Sequence, residues 1–116
     1  MPFHKTRRWS VADASDVATL ADKLTQYSWC LCNGFRLGGY LFLNDSLSED
    51  GAAEFAIVRE ADGTQVESVT FGWMSPGDAE ALIRRVLAGE LSEEYGRVPP
   101  SRWEPADEHD RCHHCM

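Results

Sequence analysis

Asp62 and Gly63 stand between two runs that read as strands, AEFAIVRE at 53–60 and QVESVTFGWM at 65–74. An Asp-Gly pair bends a chain tightly, because both residues accept a left-handed backbone at small cost. It is the strongest hairpin signal in the chain, and it commits Ala53–Glu60 and Gln65–Met74 to an antiparallel pair. Upstream, SWCLCNGFRLGGYLFLNDS is broken at Asn33-Gly34 and again at Gly38-Gly39. A second hairpin is expected there, with strands at Ser28–Asn33 and Gly39–Asn44, and either pair of turn residues can supply the bend. The polar stretch NDSLSEDGAAE between the two hairpins reads as a loop.

Helical spacing flanks this region. Val17, Leu20, Ala21 and Leu24 recur at the period of one helix face, with Tyr27 one step further. A first helix is expected over Asp13–Gln26, capped by Ser10 or Asp13. The second helix is better marked. Ser75 is a cap, Pro76 suits the first helical position and Asp78 follows three residues after the cap. Ala79, Leu82, Ile83, Val86 and Leu87 make one apolar face, and Gly89 is placed to end it.

These elements predict an α+β domain, ordered helix, four-stranded antiparallel meander, helix. Two amphipathic helices bury their stripes most simply on one side of the sheet, as a two-layer sandwich. The strand at 53–60 is apolar on both sides, with Phe55 and Ile57 on one and Ala56 and Val58 on the other. The second face is therefore expected to be covered, by the tail or by a partner chain. From Arg97 onward three prolines and no periodicity predict an irregular tail. The expected division is a domain over 1–96 and a tail over 97–116.

Composition narrows the function. A chain of 116 residues with 43% hydrophobic content suits one domain with a real core. No apolar run approaches the roughly 20 residues of a membrane-spanning helix. The first ten residues, MPFHKTRRWS, carry charge with no apolar stretch behind them, so no signal peptide is read and a cytoplasmic location is expected. The net charge of −8 repels phosphate backbones, which disfavours nucleic acid as a partner. Lys5, Arg7 and Arg8 beside Trp9 read as a solvated terminus rather than a nucleic-acid arm.

The four cysteines form two close pairs, Cys30/Cys32 and Cys112/Cys115, and His113 and His114 lie between the second pair. Zinc takes such ligands in fours, often offered as close pairs. A site uniting Cys30, Cys32, Cys112 and Cys115, or a weaker one made by Cys112, His113, His114 and Cys115, is the metal reading. Geometry opposes it. Zinc-bound sulfurs sit about 3.8 Å apart, whereas same-face neighbours on a strand lie about 6.5 Å apart at Cα. A tail without metal is the expectation, with zinc as the alternative cofactor. A redox role for C-x-x-C would need a helix N-terminus on a βαβ scaffold, which the proline-rich setting does not offer.

Other chemistry finds few residues. His4, His109, His113 and His114 all lie near the termini, so a nucleophile within the fold lacks a base. A calcium loop laid on 46–57 fails at its twelfth place, which is Ile57 and not Glu. Arg36 near a hairpin tip could hold an anion. The acidic loop of Asp45, Glu49, Asp50 and Glu54 could contact a basic surface or, in a further alternative, supply an acid/base pair for an enzyme. The leading expectation is an acidic domain that binds a protein partner, with self-association through a sheet edge or the second face also open. The alternative is a zinc-binding domain.

Overall fold

The computed structural model describes residues 9–26, 33–47, 53–91 and 96–98. Their elements are β1 (Ser10–Asp13), α1 (Val17–Thr25), β2 (Asn33–Leu37), β3 (Tyr40–Leu47), β4 (Ala53–Arg59), β5 (Gln65–Thr70), a 3-10 turn at Phe71–Trp73, and α2 (Pro76–Leu87). The strands form one sheet in the order β1-β2-β3-β4-β5. Strands β2 to β5 run antiparallel to their neighbours, as the hairpins predict, but β1 pairs parallel with β2. The fold is α+β with a mixed five-stranded sheet, and the expected four-stranded antiparallel meander is corrected to that extent.

The extra strand arises where a helix cap was expected. Ser10 and Asp13 both belong to β1, and Asp16 caps α1 instead, accepting the Thr19 backbone N–H at 2.7 Å. That bond and the Thr19 hydroxyl hold the Asp16 carboxyl below its ordinary pKa. β1 is four residues long and polar at both ends, so no local pattern announces it. It exists because β2 offers a partner, with Val11 opposite Gly34 and Asp13 opposite Arg36.

The β2–β3 bend falls at Gly38-Gly39. Both have positive φ, 58° and 85°, as a two-residue hairpin of the type I′ class requires. Gly34 is no turn residue. It sits inside β2, opposite Leu43. A Cβ at Gly34 would lie 2.9 Å from Leu43 Cδ2 and 3.2 Å from Val11 Cγ2, so this position is glycine for space. Gly34→Ala is expected to destabilise the domain by about 1–3 kcal/mol through overpacking, read as a lower urea midpoint at unchanged slope. An unchanged midpoint would show that Leu43 swings clear at no cost. The sequence also places a strand at Ser28–Asn33; of these residues only Asn33 is described, and it opens β2.

α2 follows its sequence signals. Ser75 Oγ accepts the Asp78 N–H at 3.1 Å and Pro76 takes the first position. Gly89, at φ 76°, closes the helix; its N–H donates to Val86 and that of Glu90 to Arg85, the paired bonds of a Schellman end.

Both helices bury their stripes on one side of the sheet. Leu20, Ala21 and Leu24 of α1 and Ala79, Ile83 and Val86 of α2 join Phe42, Phe55, Ile57, Val66, Val69 and Phe71 in one cluster. Three rings knit it: Phe71 meets Phe55 edge-on at 5.9 Å and Phe42 at 6.4 Å. Val66 and Val69 are three apart and would face opposite ways on a regular strand. Gln65 pairs with Val58 and Glu67 with Ile57, so Val66 is an extra residue, and this bulge lets both valines enter the same core.

The other face is apolar too, as the pattern of 53–60 implies. Leu41, Leu43 and Val58 are fully buried there with Trp9, and Val11 and Val98 pack against them. The Trp9 indole N–H donates to the Asn44 carbonyl at 2.8 Å. Trp9 is therefore a core residue, not part of a solvated terminus. Arg97 and Val98, assigned to the tail by sequence, are fastened to the β4–β5 turn. Gln65 N–H donates to Gly96, Val98 N–H to Gly63, and Arg97 Nη1 to the Asp62 carbonyl at 3.1 Å. No helix among the described residues is long and apolar enough to cross a membrane.

Candidate protein-interaction surface

The sheet has two unlike ends. One carries the Gly38-Gly39 and Asp62-Gly63 turns. The other carries the start of β2, the end of β3, the start of β4 and the end of β5, because the register sets Asn33, Leu47, Ala53 and Thr70 away from the tight turns.

The turn end is rich in charge, and that charge is consumed internally. Arg36 reaches Asp13 of β1 at 3.1 Å and Glu60 beyond β4 at 3.0 Å, tying the edge strand to the centre of the sheet. Partial burial works against its charge, yet the hydrogen bonds and charges of Asp13 and Glu60 outweigh this and raise its pKa. Arg36 thus serves the chain's own carboxylates. Arg59 holds Asp62 through both carboxylate oxygens, with its Nη2 at 2.8 Å. Asp62 also accepts the Thr64 N–H at 3.0 Å. The Arg59 bond first, and the Thr64 bond second, hold the Asp62 carboxyl far below the ordinary aspartate value. A depressed folded pKa adds stability above the unfolded value of about 3.9 and loses it as pH falls toward the folded value. A carbon-detected NMR titration should find Asp62 still ionised at pH 3, and Asp62→Asn should matter less in acid than at neutrality. A midpoint near 4 would contradict the Arg59 clasp.

Arg84 and Arg85 on α2 pair with Glu80 at 3.5 Å and with Glu90 at 3.3 Å. Four arginines are therefore neutralised by carboxylates of the same chain.

The loop end presents a different chemistry. Glu54 is the second residue of β4 and accepts the Thr70 hydroxyl across the β4–β5 pair at 3.3 Å. Thr70 leads directly into the 3-10 turn Phe71–Trp73. At about three residues per turn, Phe71 and Trp73 point to different sides. Phe71 is fully buried among Phe42 and Phe55, whereas Trp73 is 67% exposed. The Met74 N–H bonds back to Phe71 at 3.0 Å, so an embedded ring and a backbone bond fix the turn that displays Trp73. Ser75 through Asp78 follow, all exposed. Among the described residues, Trp73 is the large hydrophobic side chain left in solvent.

The sequence hid this feature. A strand running to Met74 would put Phe71 and Trp73 on one face, two apart. The strand in fact stops at Thr70. Gly72 between two aromatics, closely followed by the Ser75-Pro76 helix start, is the signal that could have marked the break.

Of the acidic loop, Asp45 and Glu54 lie in strands, since β3 extends to Leu47. Asp45 is the extra residue of a bulge between the pairs Asn44–Phe55 and Ser46–Glu54. Glu49 and Asp50 lie outside the described residues, as do Cys30, Cys32, Cys112, His113, His114 and Cys115. Among the described residues no cluster of His, Cys, Asp and Glu is arranged to hold a metal.

The class that this architecture defines is a two-layer α+β domain, with both helices on one side of a mixed sheet. No protein-family model matches the chain, and no curated protein or solved structure is significantly similar to it.

Proposed function

We propose that this chain is a protein-interaction domain whose partner presents a basic surface. The carrying observation is the charge arrangement. Arg36, Arg59, Arg84 and Arg85 are each engaged by carboxylates of the chain. These pairs engage Asp13, Glu60, Asp62, Glu80 and Glu90 in turn, so the net charge of −8 stands unaltered and acts as an acidic field. Such a field speeds encounters with cationic surfaces and rejects polyanions. The test is proximity labelling in the native cell, followed by reconstitution with the purified partner. A basic partner whose affinity falls steeply between 50 and 300 mM salt is expected. Failure to reconstitute any complex, or a complex indifferent to salt, would remove the proposal.

A second reading is zinc binding by Cys30, Cys32, Cys112 and Cys115, with His113 and His114 as further donors. One observation favours it. Val98 brings the chain onto the face that Gly34 and Arg36 of β2 share, and Cys30 and Cys32 precede Gly34 at even spacing in the sequence. The fourteen residues from Val98 to Cys112 could span up to roughly 46 Å at about 3.3 Å each. Elemental analysis of tag-free protein decides it: one zinc per chain, lost in Cys112→Ser with Cys115→Ser, supports the site, and metal-free protein ends it.

A further inference from the structure

We infer that the segment 96–98 is a displaceable latch seated on a strand-addition site, and that an extended partner segment carrying a basic and then an aliphatic residue takes its place. This rests on the protein-binding reading and deepens it. The site is the turn between β4 and β5. The Gly63 carbonyl accepts the Val98 N–H at 2.8 Å, the Gln65 N–H donates to the Gly96 carbonyl at 2.8 Å, and the Asp62 carbonyl accepts Arg97 Nη1 at 3.1 Å. Thr64 and Arg97 thereby form an antiparallel bridge. The outer edge of β5 thus already takes an added strand at its start. The turn beneath is firmly held. The Arg59 N–H donates to the Thr64 carbonyl at 2.8 Å, the Arg59 side chain clasps the Asp62 carboxylate, and Gly63 and Thr64 are buried.

The occupant is held more lightly than its site. Gly96 and Arg97 are exposed and Val98 is half-buried, so few apolar contacts secure the segment. The helix-side cluster contains none of the three. Segments of this kind open while the rest of a domain stays folded. Gly96 sits at φ 138°, which a side chain rarely adopts, and nothing lies within 4 Å of the place a Cβ would take. Gly96→Ala therefore strains the backbone of the latch without a clash. The chain's own segment defines the chemistry of its rival. A guanidinium donating to a backbone carbonyl makes a charge-assisted bond, and the net charge of −8 favours another cation in its place. Val98 packs against the cluster of Trp9, Leu41, Leu43 and Val58, so the residue after the cation is aliphatic. Main-chain bonds supply the affinity and these two side chains the selection.

The experiment has two parts, both on the full chain. Native-state hydrogen exchange should find the Gln65 and Val98 amides opening together, with protection about a hundredfold or more below that of the β3 and β4 amides. Equal protection would overturn the latch. The second part is an NMR titration with a capped peptide of the chain's own sequence 95–100, YGRVPP, alongside a counterpart with glutamate in place of arginine. The arginine peptide should shift the amides of Gly63, Thr64 and Gln65, and the glutamate peptide should not bind. Because the resident segment competes, affinity scales with the open fraction, so Gly96→Ala and Arg97→Ala should each bind the peptide about fivefold or more tighter than the unaltered chain, with circular dichroism unchanged. Equal affinity across the three chains, or equal binding of both peptides, would overturn the site and leave the basic-partner reading standing. A reconstituted basic partner that leaves 62–65 unshifted would do the same. Absence of binding by the peptide and by any reconstituted basic partner would overturn both. Sedimentation covers the rival occupant: a concentration-dependent dimer dissolved by the peptide would assign the site to the same segment of a second copy instead.

Discussion

Trp9→Ala is expected to lower the stability of the domain by about 3–5 kcal/mol, the usual cost of deleting a buried aromatic. The indole lies on Leu41, Leu43 and Val58, which are wholly buried on the face away from the helices. Its removal opens that face and leaves the Asn44 carbonyl without the indole N–H. Small domains hold about 5–15 kcal/mol in all, so the loss is about a third to a half of the total at the midrange. Urea unfolding followed by far-UV circular dichroism measures it. A change under 1 kcal/mol would mean that Trp9 contributes little cover. Trp9→Phe separates the two contributions, because it keeps most of the ring and loses the hydrogen bond.

Phe55→Ala should cost a similar amount, again about 3–5 kcal/mol, by a different route. Phe55 is 1% exposed and touches both Phe71 at 5.9 Å and Phe35 at 6.5 Å. The void would lie beneath the 3-10 turn that carries Trp73, so the loss should come with a broadened Trp73 indole resonance. Phe55→Leu should recover about half of the deficit. The two alanine variants should add within a few tenths of a kcal/mol, since the sheet separates their clusters. Strong non-additivity would mean that the two faces are coupled through the strands.

Legibility from sequence divides along local and non-local lines. α2 was written out in full, because Ser75, Pro76, Asp78 and Gly89 each act within a few residues of the helix they bound. The position of the Asp62-Gly63 hairpin was equally plain, although of the pair only Gly63 takes a positive φ, 75°. The apolar stripes of both helices and their shared side of the sheet also followed from spacing. β1 did not, since SVAD has no alternation and becomes a strand only through β2, beyond α1. Gly34 misled because glycine has two uses, positive φ and lack of bulk, and sequence alone does not say which operates. Trp9 misled because it follows charged residues, while its partners Leu41, Leu43 and Val58 lie far along the chain. Of the candidate surface, the acidic character was legible and Trp73 was not, because a period of two concealed a turn with a period of three. The Cys/His residues of the metal reading lie outside the described residues and keep the standing that their spacing gives them.

Val98 packs against the cluster that holds Trp9 although 89 positions separate the two along the chain. Closing so long a loop is a slow entropic step, whereas the helix-side cluster needs nothing beyond Leu91. A nascent polypeptide can therefore assemble one flank of the sheet while the opposite flank still awaits its final cover. In that interval Leu41, Leu43 and Val58 form a sticky, half-dressed surface, and chaperone capture during synthesis should concentrate there.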